Sequence, residues 1–117
     1  MIKGIGLDVT EIDRIASAHA RSLKFKERIL TCIELEKFEQ LKETRQIEYL
    51  AGRFAAKEAF SKALGTGIGK DCSFQDIEIR SSEAGKPVLY FKGNEVKGYV
   101  SITHTKQFAA AQVILVE

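Results

Sequence analysis

At 117 residues, with 44% apolar and 29% charged side chains, the chain has the size and balance of one globular domain, 1–117, around one core. A net charge of +2 is too small for nucleic-acid binding by bulk field, and no apolar run approaches the ~18 residues of a membrane span. The two cysteines, Cys32 and Cys72, lack metal-ligand spacing and read as reduced thiols, and no basic-then-apolar leader opens the chain, so a cytoplasmic protein is expected.

In chain order, Met1 to Val9 reads as a strand. Ile5, Leu7 and Val9 point one way and Gly4, Gly6 and Asp8 the other. Two glycines and a carboxylate on one face predict that another backbone or a ligand packs close there. Thr10, with Asp13 three residues on, predicts a capping box opening a helix from Glu11 to Ala20. Asp8, at the strand end, reads alone as a turn residue. A second helical stretch is expected near Leu23 to Leu30. Arg14, Arg21 and Arg28 recur every seven residues, with Lys24 between them, which predicts a basic ridge. Such a ridge is either a solvated face or a dock for an acidic protein. Thr31-Cys32-Ile33-Glu34 is a capping box opening a helix to about Leu41.

The central prediction is a helix from Thr44 to Leu64, rich in alanine and closed by Gly65. With Phe54 at the centre of its inner face, Ile47, Leu50, Ala51, Glu58 and Ser61 share the stripe. Tyr49, Ala56, Phe60 and Ala63 make the opposite side apolar as well, so the helix is expected to be buried nearly all round. Glu58 is then a carboxylate on a buried face, with Lys62 at i+4 in the favourable order. The pair is either a structural ion pair or a site for metal or phosphate.

The following Gly65-Thr-Gly-Ile-Gly-Lys70 fails the phosphate-loop pattern, because Leu64 stands where glycine is required and Asp71 where Ser or Thr is required. What remains is a flexible loop with bare backbone N–H groups. Strands are expected from Phe74 to Arg80, Pro87 to Phe91, Tyr99 to His104 and Phe108 to Val116, with turns at 81–86 and 94–98. Pro87 suggests an edge strand. The last strand is apolar at both parities, which predicts two buried faces, one of them at a subunit interface. Ser101 and His104 fall on opposite faces of their strand, so they make no nucleophile–base pair. His104 reads either as a structural histidine or as a partner for an anion.

Three segments together resemble the signatures of the 4′-phosphopantetheinyl transferases. They are Gly4-Ile-Gly-Leu-Asp-Val-Thr-Glu-Ile-Asp-Arg-Ile15, Phe54-Ala-Ala-Lys-Glu-Ala-Phe-Ser-Lys-Ala-Leu-Gly-Thr-Gly-Ile68 and Ser101-Ile-Thr-His104. Order, spacing and length are similar to the family's short bacterial type. Thr103 departs from the family's usual serine.

The resemblance implies an α+β fold with an antiparallel or mixed sheet on a long central helix. It implies a homotrimer with sites between subunits. It also implies transfer of 4′-phosphopantetheine from coenzyme A to a serine of apo acyl carrier protein, and Mg²⁺ held by Asp8 and Glu58. On that footing Glu58, directly or through a metal-bound water, is the base for the serine, and Lys62 offsets charge on the departing 3′,5′-ADP. Gly65 and Gly67 let backbone approach the pyrophosphate, Arg53 and His104 hold the 3′-phosphate, and Arg14, Arg21, Lys24 and Arg28 meet the acidic carrier protein. A Mg²⁺-dependent nucleotide pyrophosphatase would use the same carboxylates with water as nucleophile. A non-catalytic carrier-binding module would have no use for Asp8, Glu58 and Lys62.

Overall fold

The computed structural model describes residues 1–117. β1 (Ile2–Glu11) leads into three short helices, α1 (Ile12–Arg21), α2 (Lys24–Ile29) and α3 (Cys32–Glu39). The long α4 (Glu43–Leu64) follows, and then β2 (Ile77–Ser81), β3 (Pro87–Phe91), β4 (Asn94–Glu95), β5 (Gly98–His104) and β6 (Phe108–Val116). The strands form two three-stranded sheets, β1-β6-β5 and β2-β3-β4, antiparallel throughout. The fold is α+β, as expected, without the mixed pairing that was also allowed.

α4 is buried along most of its length and ends at Gly65, whose φ of 94° is the left-handed cap its glycine permits. One core cluster joins Ala55, Ala56, Ala59 and Phe60 to both sheets. A second joins Leu50 and Ala51 to α1, α2, α3 and Ala109. Phe54 is not the centre of the buried face. It is half-buried and stacks on Phe74, with ring centroids 5.3 Å apart.

The close approach predicted for the glycine face of β1 is made by the backbone of α4. A methyl group at Gly6 would lie 1.8 Å from the Ala59 carbonyl oxygen, and one at Gly4 2.1 Å from that of Ala63. Side chains of either size would push β1 off the helix.

Two local expectations fail. Thr10 does not cap α1, because β1 pairing with β6 runs on to Glu11, which takes the N-cap position without a side-chain bond. Pro87 opens the central strand of its sheet; the short β4 pairs only with Tyr90 and Phe91, so the proline's missing N–H costs no ladder bond there. Within one chain the last strand buries one face, Ala109, Ala111, Val113 and Leu115, and leaves Phe108 and Gln112 exposed on the other, the face a subunit interface would have to cover. The Thr31 box forms as expected, the Thr31 N–H donating to Glu34 Oε1 at 2.9 Å.

Candidate active site

A cavity of about 490 Å³ opens where the end of β1, α1, α2 and the middle of α4 meet. Its lining includes Asp8, Thr10, Arg14, Arg21, Phe25, Phe54 and Glu58. The strand register explains how Asp8 arrives there. Asp8 pairs with Ala111 and Thr10 with Ala109, on the side of the sheet that carries the buried Ala109, Ala111 and Val113 and faces α4. Because Gly6 lets α4 sit close, the carboxylate two residues on lies beside the helix face bearing Glu58 and Lys62.

Asp8 is held from two sides. The Thr10 hydroxyl donates to its Oδ2 at 2.7 Å, and the Lys62 ammonium donates to its Oδ1 at 3.1 Å and to the Leu7 carbonyl at 3.0 Å. Lys62 therefore pairs with Asp8, and no ion pair with Glu58 forms. The i+4 reading missed this because it considered the helix alone.

Burial first, and then the negative charge of Asp8, push the Glu58 carboxyl above the ordinary glutamate range, while Lys62 pulls it back. A buried carboxyl made costlier to ionise by a neighbouring carboxylate is the state a cation relieves. Each oxygen of an ionised carboxylate carries two lone pairs, so Asp8 keeps acceptor capacity beyond its present bonds. No third Asp, Glu, His or Cys joins them. Two hard oxygen donors at a cavity wall, with the remaining positions open to water or phosphate, fit Mg²⁺ and not a closed structural site.

The other predicted residues divide. Arg14 and Arg21 line the same cavity, so this half of the basic ridge belongs to the cavity wall; Lys24 and Arg28 are exposed on α2 and do not line it. Gly65 and Gly67 hold positive φ of 94° and 69° with open space around them. Arg53 and His104 lie elsewhere, in a groove of about 200 Å³ along the β5 edge, together with Lys37, Arg45, Glu48 and Tyr49. The Arg53 guanidinium covers the Tyr49 ring at 4.4 Å, and its Nε is buried without a partner. His104 Nε2 is 3.5 Å from Glu48 Oε2. Four basic side chains against one carboxylate leave the groove suited to an anion. Since β1 and β5 are the two outer strands of their sheet, this groove and the Asp8–Glu58 cavity occupy opposite edges of one chain.

The fully buried ion pair of this protein is one the sequence reading did not find. Lys57 and Glu34 meet at 2.6 Å with both side chains 0% exposed. Burial pushes the Lys57 ammonium down from the lysine range, and the Glu34 carboxylate opposes that. The available signal was a lysine set among Ala55, Ala56, Ala59 and Phe60, on a helix with no polar face to receive it.

Comparison with known proteins follows the same lines. The sequence pattern of the 4′-phosphopantetheinyl transferase superfamily matches residues 4–114. A holo-[acyl-carrier-protein] synthase of Bacillus subtilis (strain 168) is 60% identical over 116 residues, covering 98% of this chain and 96% of that protein. One from Staphylococcus carnosus (strain TM300) is 56% identical over 116 residues, covering 98% and 97%. Among solved structures, a holo-(acyl-carrier-protein) synthase from Bacillus anthracis str. Ames, in complex with CoA (3′,5′-ADP), superposes with a TM-score of 0.88 at 50% identity, covering 98% of this chain and 96% of that one. The Neisseria meningitidis enzyme gives 0.89 at 35% identity over 100% of both chains.

Proposed function

The chain belongs to the 4′-phosphopantetheinyl transferase superfamily, and from that premise we propose that it is a holo-acyl carrier protein synthase. It transfers 4′-phosphopantetheine from coenzyme A to a serine of apo acyl carrier protein and releases 3′,5′-ADP. The observation that carries the reading is full-length similarity to synthases of that activity, joined to one cavity that holds both Asp8 and Glu58. Residues 1–117 act as one transferase domain, working in the cytoplasm to prime the carrier of fatty acid biosynthesis.

Asp8 and Glu58 would hold Mg²⁺, which when bound neutralises charge on the pyrophosphate of coenzyme A. Glu58 takes the proton of the attacking serine; its raised carboxyl suits a proton acceptor. Lys62 lies over Asp8 and offsets the charge that builds on the departing 3′,5′-ADP. Gly65 and Gly67 let backbone N–H groups approach the phosphates. Arg14 and Arg21 at the cavity, with Lys24 and Arg28 beyond it, receive the acidic surface of the carrier protein.

Arg53 and His104 bind the 3′-phosphate, and their position on the far edge of the sheet supports a role in a neighbouring chain's cavity. A homotrimer supplies that neighbour. Support comes from the sheet face turned away from α4, where Ile5, Leu7 and Val9 are 57%, 57% and 60% exposed, with Tyr99 at 56% and Phe108 at 43%. An apolar stripe of that extent is a contact surface.

The test incubates apo carrier protein with the enzyme, coenzyme A and Mg²⁺. Intact mass spectrometry should show the carrier heavier by one phosphopantetheine. Coenzyme A cleaved without any gain on the carrier would replace the transferase reading with a pyrophosphatase.

A further inference from the structure

We propose that Lys57 is a positioning residue: its buried contacts set the rotation of α4 about its own axis, so that Glu58 and Lys62 face the cavity. The inference rests on the site reading above and goes beyond it, since Lys57 touches neither the cavity nor the groove.

Lys57 spends all three ammonium protons. It donates to the Ile29 carbonyl at 2.6 Å, to Glu34 Oε1 at 2.6 Å and to the Phe74 carbonyl at 3.1 Å. Those acceptors belong to three segments: the end of α2, the first turn of α3 and the turn before β2. Glu34 is equally committed, since the Thr31 N–H donates to its Oε1 at 2.9 Å and the Ile79 N–H to its Oε2 at 2.8 Å. One side chain of α4 is thereby tied to four separate stretches of backbone.

A tie of this kind adds to the knobs that Leu50 and Phe60 supply, because the rest of the buried packing of α4 is smooth. Its buried positions include Ala51, Gly52, Ala55, Ala56 and Ala59, and β1 meets it with Gly4 and Gly6. Small side chains on both surfaces offer few knobs to fix rotation or sliding. A site of two carboxylates and an ammonium requires placement to about 0.5 Å and 10–20°. A buried ion pair adds little net stability over an apolar pair, but it penalises every arrangement that separates its charges. Lys57 is the residue before Glu58, about 100° round the helix, so fixing one fixes the other.

The experiment compares the wild type with the Lys57→Met/Glu34→Gln double variant, which removes both buried charges and keeps an amide to meet the freed backbone groups. The readouts are kcat per folded enzyme well below the unfolding midpoint, and the Mg²⁺ concentration giving half-maximal rate. The expected result is a folded variant whose kcat falls about tenfold or more and whose half-saturating Mg²⁺ rises, as misplacement of the site by a fraction of an ångström to 1 Å produces. A kcat and a Mg²⁺ requirement within about twofold of wild type, with only the unfolding midpoint moved, would reduce Lys57 to a structural pair and overturn the proposal. If the double variant does not fold, Lys57→Arg, which keeps the charge but not the compact ammonium geometry, decides on the same two readouts. Glu58→Ala is run alongside. If it is inactive while the double variant is normal, the positioning role alone fails; if it is active, the site reading itself fails.

Discussion

Asp8 and Glu58 stand in different electrostatic company although they share a cavity. Asp8 has a hydroxyl and an ammonium on its two oxygens, whereas Glu58 is partly buried beside a negative neighbour, an effect that Lys62 offsets only in part. On the proposed reading, removing either carboxylate takes away one of the two side chains that would hold Mg²⁺. Asp8→Ala and Glu58→Ala should therefore each lower the transfer rate by at least about 100-fold. Near-normal rates with an unchanged Mg²⁺ requirement in either variant would withdraw the pair from the site. A third carboxylate, that of Glu78, gives a pH prediction. Burial pushes the Glu78 carboxyl up, but the Thr31 hydroxyl and Arg80 guanidinium bonded to it more than reverse that and hold it below the usual glutamate range. A depressed native value means that the unfolded chain binds the proton first, so this stabilisation is present above about pH 4.3 and is lost as pH falls through the native value. Glu78→Gln should unfold more easily at pH 7 yet lose less stability between pH 7 and the acid limb, as read by urea unfolding at a series of pH values. An acid limb as steep as that of the wild type would show that Glu78 does not carry it. At this scale a helical wheel is enough to expose Glu58 as an odd carboxylate on a buried face. It cannot expose Lys57–Glu34, because the partners are 23 residues apart and a lysine on a helix ordinarily reads as solvated.

The elements meet through backbone contact at β1 and α4. Gly4 and Gly6 in the strand were legible as a close approach because alternation places both on one face, and the partner proved to be the longest helix. Gly6→Ala should lower stability by about 1–3 kcal/mol, since a methyl 1.8 Å from a helix carbonyl cannot be absorbed by a side-chain shift. Gly69→Ala, with nothing within 4 Å, is the control and should be close to neutral. Equal unfolding midpoints for the two variants would contradict the close packing. The extent of α4 was readable to within one residue, because alanine content and a capping glycine act locally. The start of α1 was not, because strand pairing with β6 carries β1 through Thr10 and Glu11 and overrides the capping signal. The central place of β3 also depends on a two-residue strand, Asn94–Glu95, which alternation cannot detect.

For the whole molecule, the apolar surface left without a partner is on β1 and β5 more than on the last strand. Ile5, Leu7, Val9 and Tyr99 are open, while Gln112 interrupts the corresponding face of β6. Alternation marked the glycine face of β1 as a close approach but could not say that the other face, Ile5, Leu7 and Val9, would be left open. The same blindness hid the division of the basic residues. Arg14 and Arg21 enter the cavity, whereas Arg53 lies in a separate groove although Phe54, the next residue, lines the cavity wall. On the proposed reading, a chain with its carboxylates at one edge and its anion groove at the other is completed by a copy of itself in a closed ring. The direct measurement mixes purified Glu58→Ala and Arg53→Ala proteins, each impaired in a different half, after exchange of subunits. If a site takes its carboxylates from one chain and its groove from the next, about a quarter of the sites in an equal mixture are intact, and transfer activity should rise to about a quarter of wild type. A mixture no more active than the sum of its two parents, with subunit exchange confirmed by mass, would place the whole site within one chain and contradict the two-chain arrangement.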